Sequence, residues 1–83
     1  MNEISDIVPV LVILLKPFNP DDKLLVQRTD IPAELNIDSV GVLDFIMEVE
    51  DHFDVEIPMN AVASIRTIGE LAVYVQSRLK TTL

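Results

Sequence analysis

Apolar residues recur at three- and four-residue intervals in three stretches of this chain, and each stretch predicts a helix. Ile4, Ile7, Val8, Leu11, Leu14 and Leu15 predict a first helix from Ile4 to Leu15, with Glu3 and Asp6 suited to its N-terminal dipole. Pro9 falls near its start. If Ser5 is the cap, the proline deletes at most one early backbone bond. A second helix is expected from about Ser39 to Phe53, and a third after Thr67, where Ile68, Leu71, Ala72, Val75 and Leu79 share a stripe. Thr67-Ile68-Gly69-Glu70 has the form of a capping box, threonine bonding the Glu70 amide while the glutamate reaches back. Between these last two helices, Asp54 to Ile57 reads as extended, and Pro58 suits the first turn of a short helix over Met59 to Ser64. Lys16 to Leu35, with Pro17, Pro20 and Pro32, reads as a long ordered loop pinned by Leu24, Leu25, Val26 and Ile31. The expected fold is all-α: a small four-helix bundle of three longer helices and one short one, in a single domain over residues 1–83.

The helix from Ser39 carries two apolar arcs. At about 100° per residue from Ser39, Val42, Phe45, Ile46, Val49 and Phe53 fall between roughly 240° and 340°. That arc is wide enough to anchor the helix to a core. Val40, Leu43 and Met47 form a second strip between roughly 40° and 100°. Glu50 flanks this strip on one side, and Asp44, Glu48 and Asp51 flank it on the other. Such a strip is either more core or a docking surface, and the acidic frame favours docking. Glu50 and Asp51 also stand in the last turn, where the helix dipole disfavours anions by roughly 0.3–1 kcal/mol each. A local rule broken without structural gain marks a candidate functional position.

Charge sharpens this. The net charge is −8, which disfavours nucleic acid and anionic membrane surfaces and favours basic partners. The acid is also concentrated: no Lys or Arg occurs between Thr29 and Ile65, while Asp30, Glu34, Asp38, Asp44, Glu48, Glu50, Asp51, Asp54 and Glu56 do. Encounter with a basic surface would be fast and salt-sensitive. The chain has no Cys and one His, so thiolate metal sites and histidine clusters are excluded, and nothing points to a secreted disulfide framework. The run Ile7 to Leu15 is too short to span a bilayer, and the acidic residues before it do not suit a secretory signal.

Catalysis has little to work with. Ser39, Asp51 and His52 are triad residue types, but thirteen positions along one helix hold Ser39 and His52 about 20 Å apart. No glycine-rich phosphate loop, HExxH or CxxC occurs. Asp21-Asp22 lacks the alternating ligands and central glycine of a calcium loop. Ser39 is better suited to being modified, because a phosphate attached there would meet the positive end of a helix. A plain N-cap serine is the equally available local reading.

Leu35-Asn36-Ile37-Asp38-Ser39-Val40 resembles the phosphopantetheine attachment motif of acyl carrier proteins. The resemblance continues in register through Leu43 to Phe53, Val55-Glu56-Ile57-Pro58 and Thr67-Ile68-Gly69-Glu70-Leu71. It implies that Ser39 carries a 4′-phosphopantetheine arm installed from coenzyme A by a phosphopantetheinyl transferase, with Asp38 helping that enzyme hold its magnesium. The arm's thiol would then carry acyl groups as thioesters to loading and transfer enzymes of fatty acid, lipid or related biosynthesis. It further implies docking on basic partner surfaces through Val40, Leu43, Asp44, Met47, Glu48, Glu50 and Asp51. Val42, Ile46, Val49 and Ile65 would line an acyl pocket in the bundle interior. The expected protein is a carrier and no enzyme itself, a cytoplasmic monomer with no metal site of its own. Gly41, Asn36 and Met59-Asn60 depart from the usual pattern, which implies a specialised, freestanding member. The alternatives are a peptidyl or aminoacyl carrier of a polyketide or nonribosomal pathway, and an unmodified helical adaptor docking through its acidic face.

Overall fold

The first apolar stretch folds as α1 (Ile4–Leu14) in a computed structural model that describes residues 3 to 80, the side chain of Lys80 apart. Glu3, extended and without a side-chain bond, is the cap in place of Ser5, so Pro9 stands inside the helix. The N–H it lacks would have reached the Ser5 carbonyl. A 3-10 turn (Lys16–Phe18) follows, and it brings the Phe18 ring edge-on to Phe45, with centroids 6.1 Å apart.

The next helix is one that periodicity did not reveal. Within the expected loop, Ile31–Leu35 forms α2, capped by Asp30, which accepts the Ala33 amide at 3.1 Å. Then come α3 (Ser39–Phe53), α4 (Met59–Ser64) and α5 (Ile68–Lys80). The described residues are thus an all-helical bundle, with α2 added to the four helices expected and Pro58 capping α4 rather than occupying its first turn. α1 packs on α5 and α3. Ile7, Leu11, Phe45, Val49, Ile68, Leu71 and Val75, all on these three helices, are buried in one core cluster. α4 contributes no fully buried residue and lies on the surface of the bundle.

The long connection is held mainly by its backbone. Leu24 is 88% exposed and Val26 is also exposed, so of the four apolar residues expected to pin it only Leu25 and Ile31 pack inward. The ties are antiparallel to the start of α5: Gly69 N–H to Gln27 O at 2.7 Å, Ile68 N–H to Thr29 O at 3.2 Å and Ile31 N–H to Arg66 O at 2.8 Å. A Cβ on Gly69 would stand 3.0 Å from the Gln27 carbonyl oxygen, so glycine permits this approach. Lys23 adds a bond from its Nζ to the Glu34 carbonyl.

Two carboxylates hold this junction. Asp30 receives Arg66 in a fork, with Nε 2.9 Å from Oδ2 and a terminal nitrogen 3.2 Å from Oδ1. Glu70 closes the capping box: its amide donates to Thr67 Oγ1 at 3.0 Å, while its Oε1 accepts the Thr67 and Arg66 amides. The Ala33 amide and then Arg66 hold the Asp30 carboxyl below its ordinary 3.8. The Arg66 and Thr67 amides hold Glu70 below its ordinary 4.5. Groups depressed on folding contribute stability that is complete above those ordinary values and is lost as pH falls through the folded ones. The urea midpoint is therefore expected to fall between about pH 5 and about pH 3. The fall should be shallower in an Asp30→Asn, Glu70→Gln double variant; an unchanged slope would remove these two groups as its cause.

Candidate functional site

The start of α3 is set by three residues in succession. Asn36 ends α2 in the left-handed region, φ 53°, ψ 42°, which asparagine tolerates better than most residues. Asp38 is extended, and its Oδ1 accepts the Gly41 N–H at 2.8 Å while its carbonyl takes the Val42 N–H at 3.0 Å. Asp38 is therefore the cap, and the local alternative of a plain N-cap serine is removed. Ser39 is the first helical residue, exposed, and its hydroxyl has no hydrogen-bond partner among the described residues. Its own amide and that of Val40 precede the first intrahelical bond and point outward from the helix end.

Gly41 has a steric reason here. A Cβ at this position would collide with Ile37 Cγ2 and stand 3.3 Å from Asp38 Oδ1. Glycine lets Ile37 lie across the first turn without disturbing the cap. The weaker helix propensity, roughly 1 kcal/mol relative to Ala, accompanies that close fit.

The two arcs of α3 separate as expected. Phe45, Ile46 and Val49 are buried, and Val42 and Phe53 are half-buried. On the other face, Val40 is 64% and Met47 63% exposed, with Leu43 half-buried between them. Asp44, Glu48 and Asp51 are exposed and have no ionic or hydrogen-bonded partner among the described residues. His52 is exposed, with its ring edge on Phe53. Glu50 differs from its neighbours. It is half-buried, and its Oε2 accepts the Ile57 N–H at 2.8 Å, tying α3 to the extended segment. The last-turn carboxylate that lacked a structural gain in the sequence has one in the fold.

Two surface depressions flank this helix. An open acidic groove of about 460 Å³ runs along Met47, Glu48, Glu50 and Asp51 to Val55 and Glu56. The second, of about 340 Å³, begins at Ser39 and is lined by Ile37, Leu43, Met59 and Val62 among others, with no charged side chain. It adjoins a partly enclosed interior cavity of about 120 Å³ whose walls include Val42, Ile46, Ile65 and Leu71. Of the four residues expected to line an acyl pocket, Val42, Ile46 and Ile65 therefore do face a cavity. Val49 lines neither depression: it is fully buried in the core cluster. Glu56, Met59, Pro32 and Val62 were missed. Glu56 could have been found from the two-residue alternation with buried Val55 and Ile57. The others come together only through the fold.

A methionine on a docking strip and one in a core respond differently to truncation. Met47→Ala is expected to change stability by less than about 0.5 kcal/mol while weakening partner binding by roughly 1 kcal/mol. Asp44→Lys should act in the same direction and reduce the salt dependence of association. Thermal melts alongside surface-binding measurements on a purified partner check both. A large stability loss in Met47→Ala would return that strip to the core.

The family described as "Phosphopantetheine attachment site" matches residues 19–75. The acyl carrier protein of Lactobacillus acidophilus is 32% identical over 60 residues, covering 72% of this chain and 75% of that protein. The acyl carrier protein of Phenylobacterium zucineum is 29% identical over 76 residues, covering 90% and 96%. The crystal structure of a Toxoplasma-specific mitochondrial acyl carrier protein superposes with a TM-score of 0.83 at 20% identity, covering 99% of this chain and 96% of the other. That likeness concerns the fold.

Proposed function

This chain belongs to the phosphopantetheine-attachment family of acyl carrier proteins, and from that premise we propose that Ser39 holds its 4′-phosphopantetheine arm and that acyl groups travel on the arm as thioesters. The observation that carries the reading is the state of Ser39: an exposed, unbonded hydroxyl on the first helical residue, beside a cap that does not use it. The family's carriers are not themselves catalysts.

The residues present fit the group. A phosphodiester on Ser39 would meet the outward amides of Ser39 and Val40 and the positive end of α3, which favour its charge. Asp38 spends Oδ1 on the Gly41 amide and keeps its other oxygen clear, the position from which it would assist a transferase's magnesium. The arm, when bound, supplies the thiol that a cysteine-free chain lacks. The apolar groove beginning at Ser39 gives an attached acyl group a surface away from water.

The same reading gives the exposed strip of α3 to partner enzymes. Val40, Leu43 and Met47 offer apolar contact, and Asp44, Glu48 and Asp51 offer unpaired charge, so phosphopantetheinyl transferase and acyl-handling enzymes would present basic surfaces to it. Lipid or related biosynthesis is the setting this implies. The experiment is direct: incubation with coenzyme A, magnesium and a broad-specificity transferase, read by intact mass. A gain of one phosphopantetheine per chain supports the proposal. No gain, under conditions that load a control carrier, would leave an unmodified adaptor.

A further inference from the structure

One side chain ties the connection to the segment that presents Ser39. Lys23 is exposed, and its Nζ donates to the Glu34 carbonyl at 2.6 Å. That carbonyl lies in the last turn of α2, among those that no intrahelical N–H reaches. A cation suits this end of a helix, and the chain has no Lys or Arg between Thr29 and Ile65 to supply one. Lys23 supplies it from outside. Its own backbone is fixed in turn: Asn19 Oδ1 accepts the Lys23 N–H, and Asn19 Nδ2 donates to the Lys23 carbonyl, both at 3.0 Å. Between them Asp22 takes the left-handed region, φ 52°, and its N–H bonds the Asn19 carbonyl. Asn19 directly follows the 3-10 turn whose Phe18 packs on Phe45 of α3.

These contacts form a closed circuit. It runs from the middle of α3 through Phe18, Asn19 and Lys23 to the end of α2, then through residues 36–38 to the start of α3. The loop needs that support, because α2 has only five residues, too few to hold a helix unaided. Asn36 and Asp38 are both exposed. Resting on the reading of Ser39 as the attachment point, we infer that Lys23 is a positioning residue for loading: its bond to Glu34 holds residues 36–38 in the arrangement that a transferase accepts. Among the described residues it makes no bond to Ser39, and it acts by keeping that arrangement dominant in the free protein. Where only a fraction of molecules is competent, apparent affinity falls by that fraction, and a saturating partner restores it. The signature is a raised KM for the carrier with kcat unchanged. Charge predicts the opposite sign. Removing a lysine from a chain of net charge −8 strengthens attraction to a basic transferase and would lower KM.

Loading kinetics on the whole chain, with coenzyme A, magnesium and a broad-specificity transferase, separate the two. Lys23→Met is expected to raise KM for the carrier roughly three- to tenfold, with kcat within about twofold of the parent. Lys23→Arg keeps a donor and the charge, and should return KM close to the parent's. Lys16→Met removes the same charge at an exposed lysine outside the circuit, and should leave KM at or below the parent's. Asn19→Ala changes no charge, frees the Lys23 backbone, and should raise KM as Lys23→Met does. Amide hydrogen exchange gives the second readout. In Lys23→Met, residues 36–39 should exchange faster, while Val49 and Leu71 keep the parent's protection and show that the variant is folded. An unchanged or lowered KM in Lys23→Met would overturn the inference, as would a rise matched by Lys16→Met or one that Lys23→Arg does not reverse. Parent-like exchange at residues 36–39 would overturn it too, and so would lost protection in the core, which would make Lys23 a support of the whole fold. Failure of the attachment reading looks different, since the parent chain itself would then gain no phosphopantetheine mass.

Discussion

Ser39→Ala is expected to abolish loading completely, with no mass gain from coenzyme A at any transferase concentration, while the fold is unchanged. The first half follows from chemistry: alanine has no oxygen to attack the pyrophosphate of coenzyme A. The second half follows from the position of the side chain. Because Asp38 caps α3, the serine hydroxyl satisfies no backbone donor, and its loss leaves nothing orphaned. Alanine at the first helical position should change stability by less than about 0.5 kcal/mol. Asp38→Ala provides the contrast, since it removes the acceptor of the Gly41 N–H and should cost about 1 kcal/mol of stability. It should also slow loading. Intact mass and thermal unfolding on the two variants therefore separate attachment from capping. Residual loading of Ser39→Ala would mean another hydroxyl carries the arm; marked unfolding would mean that Ser39 serves the helix after all.

How much of this was readable in advance varies with the range of the interaction. The bounds of α3, the capping box at Thr67 and the two arcs of the central helix depend on spacing within a few residues, and the fold reproduces them. The short α2 was missed because five residues carry too little periodicity, although Asp30 followed by Ile31-Pro32 is a legible helix start. Asp38 was not read as the cap; aspartate and serine both cap well, and only the observed dihedrals choose between them. Contacts between distant positions had no local trace. Arg66 meets Asp30 across thirty-six positions, and Arg66 also lines the interior cavity with Ile65. Val49 shares an arc with Val42 and Ile46 on the wheel, yet it is fully packed in the core cluster and lines no cavity. The wheel shows that a residue points inward, but not whether it meets a packed helix or a void.

Glu50 differs from the other acidic residues of the proposed docking face in also holding the fold. Glu50→Ala is expected to cost about 1–3 kcal/mol of stability, the penalty for leaving the buried Ile57 N–H without an acceptor. Glu50→Gln keeps an acceptor oxygen in the same place and should cost well under half as much, while removing the charge from the acidic groove. Asp51→Asn runs the other way. It relieves an anion from the C-terminal turn, with no bond of its own to lose, and should stabilise by a few tenths of a kcal/mol. Denaturant midpoints on the three variants decide the matter. Glu50→Ala as stable as the parent would mean that the 2.8 Å contact contributes nothing. Partner binding then separates the roles: Glu50→Gln and Asp51→Asn should both weaken a salt-sensitive association, because each removes one charge from the same groove. In the parent, the tie to Ile57 offsets the dipole penalty at Glu50 and allows a charge to stand in that turn. At Asp51 no bond among the described residues offsets it, and on the proposed docking reading the compensating cation would come from the partner.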